Sequence, residues 1–281
     1  MTNVKADNMN DIYKHICRDI MNESKEVKGT KELNNYSFEL TNLDNNVINV
    51  RGISKAYLCA ELTWYMLARN DVAFINPFAG MWGRISDDGV TSYSAYGDIV
   101  FKRHGFDQVD KIIELLANDK ESRRAVINFN VPNKNVIETK DEICTIALQF
   151  YIRDNVLNCT GIMRSNDIWY GLPYDVVFFT ELQKYIAHRL NVPVGTYVHD
   201  VISLHCYERN YDDMSKVIAT VPTEKISINI ERLDMFKKLI EVAVMNCTNM
   251  NDKRTMIVDM CKEYNILKVH EYIDEALAYT E

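Results

Sequence analysis

Ile12, Tyr13, Ile16, Cys17 and Ile20 recur at helical spacing, which predicts an amphipathic helix over 9 to 23, ahead of a polar, glycine-bearing stretch around Lys28-Gly29. A second helix is expected over 55 to 69, where Ala56, Leu58, Cys59, Leu62, Tyr65, Met66 and Leu67 leave little polar surface and predict burial on most sides. Glu61 lies inside that apolar surface. Residues 70 to 97, including Met81-Trp82-Gly83, are rich in Gly, Asp and Ser and keep no period, so a long functional loop with at most short strands is expected. Phe106, Val109, Ile112, Ile113 and Leu116 predict a helix over 106 to 118. Ala125, Ile127, Phe129 and Val131 then alternate with polar residues, so the period changes from helix to strand across Ser122-Arg123-Arg124.

Residues 143 to 152 and 156 to 163 read as two strands of a hairpin joined at Asp154-Asn155. A long apolar helix follows over 173 to 190, opened by Pro173 in its first turn. A strand over 197 to 207 would project His205 and Tyr207 from one face. Three short helices are expected over 231 to 246, 252 to 263 and 268 to 279, and no internal repeat or low-complexity tract interrupts the chain.

The chain has 281 residues, enough for one large domain or two small ones, and its 47% apolar and 26% charged residues are those of a folded, water-soluble protein. A net charge of -8 disfavours a nucleic-acid partner, whereas a mononucleotide phosphate needs only a few arginines. Seven cysteines form no C-x-x-C pair and cannot all close into disulfides, which points to a reducing, cytoplasmic setting. No signal-peptide pattern and no apolar run of membrane-spanning length is present in the sequence.

Several residues carry candidate chemistry, each with a plainer alternative. Cys144 enters a strand and is either a thiol nucleophile or a small buried hydrophobe. Arg123-Arg124 and Arg164-Ser165 fall at strand ends, where guanidinium forks and a hydroxyl can surround a phosphate, or are solvated surface pairs. Glu61 is either functional or a structural, salt-bridged carboxylate. His205 and Tyr207 either hydrogen-bond a sugar hydroxyl or pack in the core. Phosphate-loop, dinucleotide and zinc signatures are absent, which argues against an ATP-driven, dinucleotide-dependent or zinc enzyme, and no metal is expected.

In order and spacing these residues resemble the thymidylate synthase superfamily from about residue 28 to about residue 229. Glu61-Leu62-x-Trp64 is similar to the helix bearing the family's catalytic glutamate, and Asp119-x-x-Ser122-Arg123-Arg124 to the loop donating two arginines across a dimer interface. Tyr96-Gly97 resembles a pair that precedes that loop, and Cys144 with Gln149-Phe150 resembles the nucleophile strand. Arg164-Ser165-Asn166-Asp167 resembles the phosphate and base motif, and His205-x-Tyr207 the deoxyribose motif. The resemblance implies a mixed α/β fold on a large twisted sheet, a homodimer packed sheet to sheet, a pyrimidine nucleoside monophosphate substrate and methylenetetrahydrofolate as carbon donor. It implies that Arg164, Ser165, Lys28 and the partner's Arg123 and Arg124 hold the phosphate. Asn166 belongs to the nucleotide set, Asp167 would orient the base, and His205 with Tyr207 would hold the sugar. Trp82, Tyr96, Asp167 and Gly171 are implied at the folate. The family-like part would then be a catalytic domain over 1 to 230, with a helical extension over 231 to 281.

Asp175 bears on the base. Uracil-specific synthases resemble Gly171-Leu172-Pro173-Tyr174-Asp175 but end it in asparagine. Uracil offers an N3-H donor and an O4 acceptor, matched by an amide, whereas cytosine offers an N3 acceptor and an N4 amino donor. A carboxyl group accepts from that amino group and, if it or N3 is protonated, completes a second bond. A mismatched polar pair costs about 1 to 3 kcal/mol, roughly tenfold to a hundredfold in preference. The alternative is a helix N-terminal Asp favoured by the dipole. With Ile143-Cys144-Thr145, Met163-Arg164-Ser165-Asn166-Asp167 and Ser203-Leu204-His205-x-Tyr207, the pattern is closest to the deoxycytidylate hydroxymethylases of large bacteriophages. The expectation is 5-hydroxymethylation of a cytidylate, dCMP first and CMP second. Methylation of dUMP or dCMP, or nucleotide binding without turnover, stand as alternatives.

Overall fold

The computed structural model describes residues 3–131, 133 and 135–220. The helices expected over 231 to 246, 252 to 263 and 268 to 279, and the boundary at 230, lie outside them. Within the described part the chain forms two compact units, one of residues 3–53, 113–126 and 144–220, the other of residues 54–112 and 127–143.

The first unit opens with strand β1 (Val4–Ala6) and helix α1 (Met9–Glu23). The Asn8 side chain caps α1 by accepting from the Asp11 N–H, and Ile12, Tyr13, Ile16, Cys17 and Ile20 form its buried stripe. Strands β2 (Lys25–Val27) and β3 (Thr30–Leu40) form a hairpin turned at Lys28-Gly29, both at positive φ. No strand was expected there. β2 is exposed throughout and β3 buries only Tyr36, Phe38 and Leu40, so most of the hairpin lacks an apolar alternation. The predicted hairpin is β5 (Thr145–Arg153) with β6 (Val156–Met163), and Asp154 and Asn155 at its turn have φ of 51° and 63°. A two-residue β7 (Asn166–Asp167) and the long β8 (Val194–Tyr207) follow, and β4 (Val126–Asn128) begins within this unit. Among the described residues eight strands form one mixed sheet, ordered β1-β3-β8-β6-β5-β4, with β2 on β3 and β7 on β8. Helix α1 packs on β3, and the long apolar helix over Leu172–Leu190 packs on β6 and β8.

The second unit holds helix α2 (Lys55–Met66), capped by the Ser54 side chain accepting from the Tyr57 N–H. The stretch expected to be a loop with at most short strands instead carries three short helices, α3 (Val72–Ile75), α4 (Met81–Ile85) and α5 (Tyr96–Phe101), with one isolated bridge between Asp71 and Thr91. These helices have four to six residues, too short to establish a period. Helix α6 (Gln108–Asn118) matches the expected amphipathic segment and has residues in both units; α7 (Leu172–Leu190) and α8 (Tyr211–Ala219) belong to the first unit, and α8, with only Met214 and Val217 buried, was not foreseen.

Gly97 lets α5 lie directly on the α2 backbone: a Cβ there would come within 1.9 Å of the Tyr65 carbonyl oxygen. The obstacle is backbone, so no rotamer relieves it. Gly97→Ala is expected to lower stability by about 2 to 3 kcal/mol, visible as a reduced midpoint in urea unfolding. An unchanged midpoint would refute the close approach.

Candidate active site

In the first unit, Cys144 directly precedes β5, beside a register irregularity between Thr145 and Ala147. Such bulges re-aim strand ends next to reactive groups. The Cys144 carbonyl accepts from the Arg164 N–H (2.9 Å), which draws the end of β6 back to the thiol. Arg164 Nη2 lies 3.7 Å from Cys144 Sγ, so a guanidinium faces the half-buried sulfur. A cation so placed is the electrostatic partner a thiolate nucleophile requires.

Beyond Arg164 the chain turns through half-buried Ser165 into β7. Asn166 is buried with both ends of its amide engaged: Nδ2 donates to Asp175 Oδ2 (2.8 Å) and Oδ1 faces His199 Nε2 (3.0 Å). Asp175 stands in the first turn of α7, brought there by the Gly171 N-cap and Pro173. Desolvation pushes its carboxyl up to about 6 and the Asp167 charge adds to the rise, while the Asn166 N–H opposes it. A Cβ on Gly171 would come 3.0 Å from Asn166 Nδ2 and 3.2 Å from Asp175 Oδ2, so the lack of a side chain there leaves room for this pair. Asp167 Oδ1 accepts from the Trp169 N–H (2.7 Å), and burial raises its carboxyl above the usual range.

Asp167 is registered with His205 across β7 and β8. His205 and Tyr207 share a strand face as expected, with ring centroids 5.5 Å apart, and Arg209 stacks on Tyr207. Arg123 and Arg124 are exposed in the turn before β4, where the Arg123 carbonyl accepts from Gln149 Nε2 (3.0 Å). Lys28 is exposed at the β2–β3 turn. Among the described residues, neither these two arginines nor Lys28 makes a side-chain bond to Cys144 or Arg164.

In the second unit Glu61 is buried on α2, and its Oε1 accepts from two tyrosines on the same helix, Tyr57 and Tyr65 (3.2 Å for the latter). Trp82 on α4 donates its indole N–H to the Tyr57 hydroxyl (3.0 Å), so the Tyr57 proton is directed to Glu61. The Trp82 ring stands edge-on to Trp64, and Tyr96 stacks on Tyr65. Tyr57 and Tyr65 were not singled out in the sequence. Their positions four residues either side of Glu61 put all three on one helix face, a spacing that could have revealed them. His199 was also missed. It alternates with Tyr197 and Val201 on the buried side of β8, and nothing local marks it as more than core.

A family model described as thymidylate synthase matches residues 10–258. The chain belongs to the thymidylate synthase family. Among the relatives of this family member is a thymidylate synthase of Buchnera aphidicola subsp. Baizongia pistaciae (strain Bp), 26% identical over 64% of this chain and 71% of that protein. Deoxyuridylate hydroxymethyltransferases of Bacillus phage SP01 and Pseudomonas phage M6 are 30% and 34% identical over 59% and 53% of this chain. The matches span 48% and 43% of those phage proteins, less than half of their length. The thermostable thymidylate synthase A from Bacillus subtilis shares the fold, with a TM-score of 0.67 over 80% of this chain and 90% of that one, at 23% identity. The expected fold class, mixed α/β on a large mixed sheet, is thereby established. No helix among the described residues is long and apolar enough to cross a membrane.

Proposed function

We propose that this enzyme of the thymidylate synthase family hydroxymethylates C5 of a cytidine monophosphate, dCMP above CMP, releasing 5-hydroxymethylcytidylate and tetrahydrofolate. The observation that carries the choice of base is Asp175, a desolvated carboxyl with a value near 6, held by Asn166 in the first turn of α7. Near neutrality such a group exists in both forms, and its neutral form carries one donor and one acceptor, the complement of cytosine N3 and N4. The phage hydroxymethyltransferases named for deoxyuridylate support the hydroxymethyl outcome and make dUMP the competing substrate to exclude.

In this reading Cys144 Sγ, facing Arg164, adds to C6 of the pyrimidine and so makes C5 nucleophilic. Methylenetetrahydrofolate supplies, when bound, the one-carbon unit. Asp167 has the acceptor chemistry to hold it, a carboxylate able to accept from pterin N–H groups, with Gly171 beside it. Trp82 and Tyr96 contribute apolar ring surface, since the Trp82 N–H is already engaged. Glu61 is assigned the proton transfers: through water it removes the C5 proton and passes it to the folate nitrogen as the bond from that nitrogen to the new exocyclic carbon breaks, and, a carboxylate again, it takes a proton from the water that adds at that carbon. Expulsion of the Cys144 thiolate restores the aromatic ring. Arg164, Ser165 and Lys28, with Arg123 and Arg124 donated across a homodimer, hold the phosphate, and His205 and Tyr207 the sugar.

Mass spectrometry after incubation with methylenetetrahydrofolate and dCMP, CMP, dUMP or UMP tests this reading. A gain of CH2O on a cytidylate is expected. A gain of CH2 with dihydrofolate, or preference for dUMP, would replace it with synthase or deoxyuridylate chemistry. Removing one donor from Glu61 gives a further expected result. Tyr57→Phe should lower kcat about tenfold to a hundredfold with KM little changed, because a bond to a charged group contributes about 1.5 to 3 kcal/mol. A raised KM with kcat intact would put Tyr57 in substrate binding instead.

A further inference from the structure

Asp175 is the last member of a chain of hydrogen bonds that begins well inside the sheet. The Tyr197 hydroxyl lies 2.6 Å from His199 Nδ1, His199 Nε2 lies 3.0 Å from Asn166 Oδ1, and Asn166 Nδ2 donates to Asp175 Oδ2 at 2.8 Å. Each joint constrains the next. His199 is fully buried, with Phe38 stacked on its ring at 4.9 Å and Phe179 at 6.4 Å, and burial drives its value down to about 3, so the imidazole is neutral. A neutral imidazole has one N–H. With the Asn166 amide nitrogen directed to Asp175, the amide oxygen facing His199 can only accept, so the proton is on Nε2. Nδ1 must then accept from Tyr197. That hydroxyl has its place because residue 161 is glycine, where a Cβ would come within 2.7 Å of it.

Among the described residues, Asp175 has no other side-chain hydrogen-bond partner, so Oδ2 is committed as an acceptor and Oδ1 is left to carry the proton of the neutral acid. We infer that His199, held by Tyr197, is a positioning residue for base recognition: acting through Asn166, it fixes the orientation of the Asp175 carboxyl and the oxygen that bears its proton. His199 touches no reacting atom. The inference rests on the reading of Asp175 as the group that meets the base.

A leucine at 199 would keep an apolar side chain between Phe38 and Phe179 but would free the Asn166 amide to rotate. The N–H on Oδ2 favours the carboxylate, so its loss should raise the Asp175 midpoint, while the charge of Asp167 continues to push the same way. The test is a 13C-carboxyl NMR titration of Asp175 in the full-length protein, paired with the ratio of kcat/KM for dCMP to that for dUMP. His199→Leu is expected to move the midpoint above the wild-type value near 6 and, at a pH about one unit below 6 where Asp175 is neutral in both proteins and only its orientation differs, to lower the ratio roughly threefold to tenfold. His199→Gln, whose amide N–H can replace the bond to Asn166, should restore both. Tyr197→Phe, which removes one hydroxyl, should shift the midpoint in the same direction by less and serves if the leucine variant does not fold. An unchanged midpoint in the leucine and phenylalanine variants overturns the inference, as does failure of glutamine to restore it. The two readings fail separately: an Asp175→Asn variant with unaltered base preference removes the assignment of Asp175, whereas an altered preference there with no effect at 199 and 197 removes only the relay.

Discussion

Cys144→Ala is expected to abolish product formation, with a loss in kcat on the order of 10^4-fold or more, while dCMP binding changes only a few-fold. Among Cys17, Cys144, Cys159 and Cys206, the cysteines whose side chains are described, Cys144 is half-buried and the other three are buried. Burial pushes Cys17 and Cys206 up to about 12 and raises Cys159 well above its ordinary range, so none of these supplies a thiolate near neutrality. Cys144 instead has the Arg164 guanidinium 3.7 Å from its sulfur. Loss of the nucleophile removes covalent activation of C5 without removing the phosphate or sugar contacts, so chemistry and binding should separate. Single-turnover product analysis beside equilibrium titration with dCMP reads both, and persistent turnover would mean that another group attacks C6.

The second large effect concerns the base. Asp175→Asn should shift the dCMP-to-dUMP preference toward uridylate by about tenfold to a hundredfold, since each mismatched polar pair costs about 1 to 3 kcal/mol. A carboxylate offers only acceptors and opposes uracil O4, whereas an amide offers O4 a donor. The same side chain sets a pH dependence. The folded carboxyl titrates near 6, raised from 3.8, so the neutral form is abundant below that value and falls tenfold per pH unit above it. The kcat/KM ratio for dCMP over dUMP should therefore decline as pH rises through about 6, and the Asp175→Asn variant should show no such limb. A flat wild-type ratio across that range would mean that the proton shared with N3 comes from another source.

Legibility in the sequence followed the length and amphipathicity of each element. Helix α1 carries its apolar stripe along its whole length, and the β5–β6 hairpin pairs apolar strands across a turn-prone Asp-Asn, so both were readable. The β2–β3 hairpin was not, because its outer half is solvated and leaves only Tyr36, Phe38 and Leu40 in alternation. Asp175 and the residues around Cys144 could be picked out through the order of several short motifs. Tyr57 and His199 could not be recognised in that way, since their importance lies in a partner: one donates to a carboxylate on its own helix, the other reaches an amide 33 positions away. Single residues announce reactive groups more readily than they announce what holds those groups in place.

The relay ending at Asp175 also constrains how such an enzyme changes substrate over generations. Aspartate and asparagine codons differ by one letter, so on the proposed reading, in which Asp175 meets the base, that residue is easily exchanged. Its supports are not exchanged with it, because Asn166, His199, Tyr197 and the space at Gly161 are set for a carboxyl. Substitutions along this chain should therefore be strongly epistatic: a change at 199 that is damaging beside Asp175 becomes tolerable once an asparagine has replaced it, and the order in which the two arise decides which lineages can cross from one pyrimidine to the other.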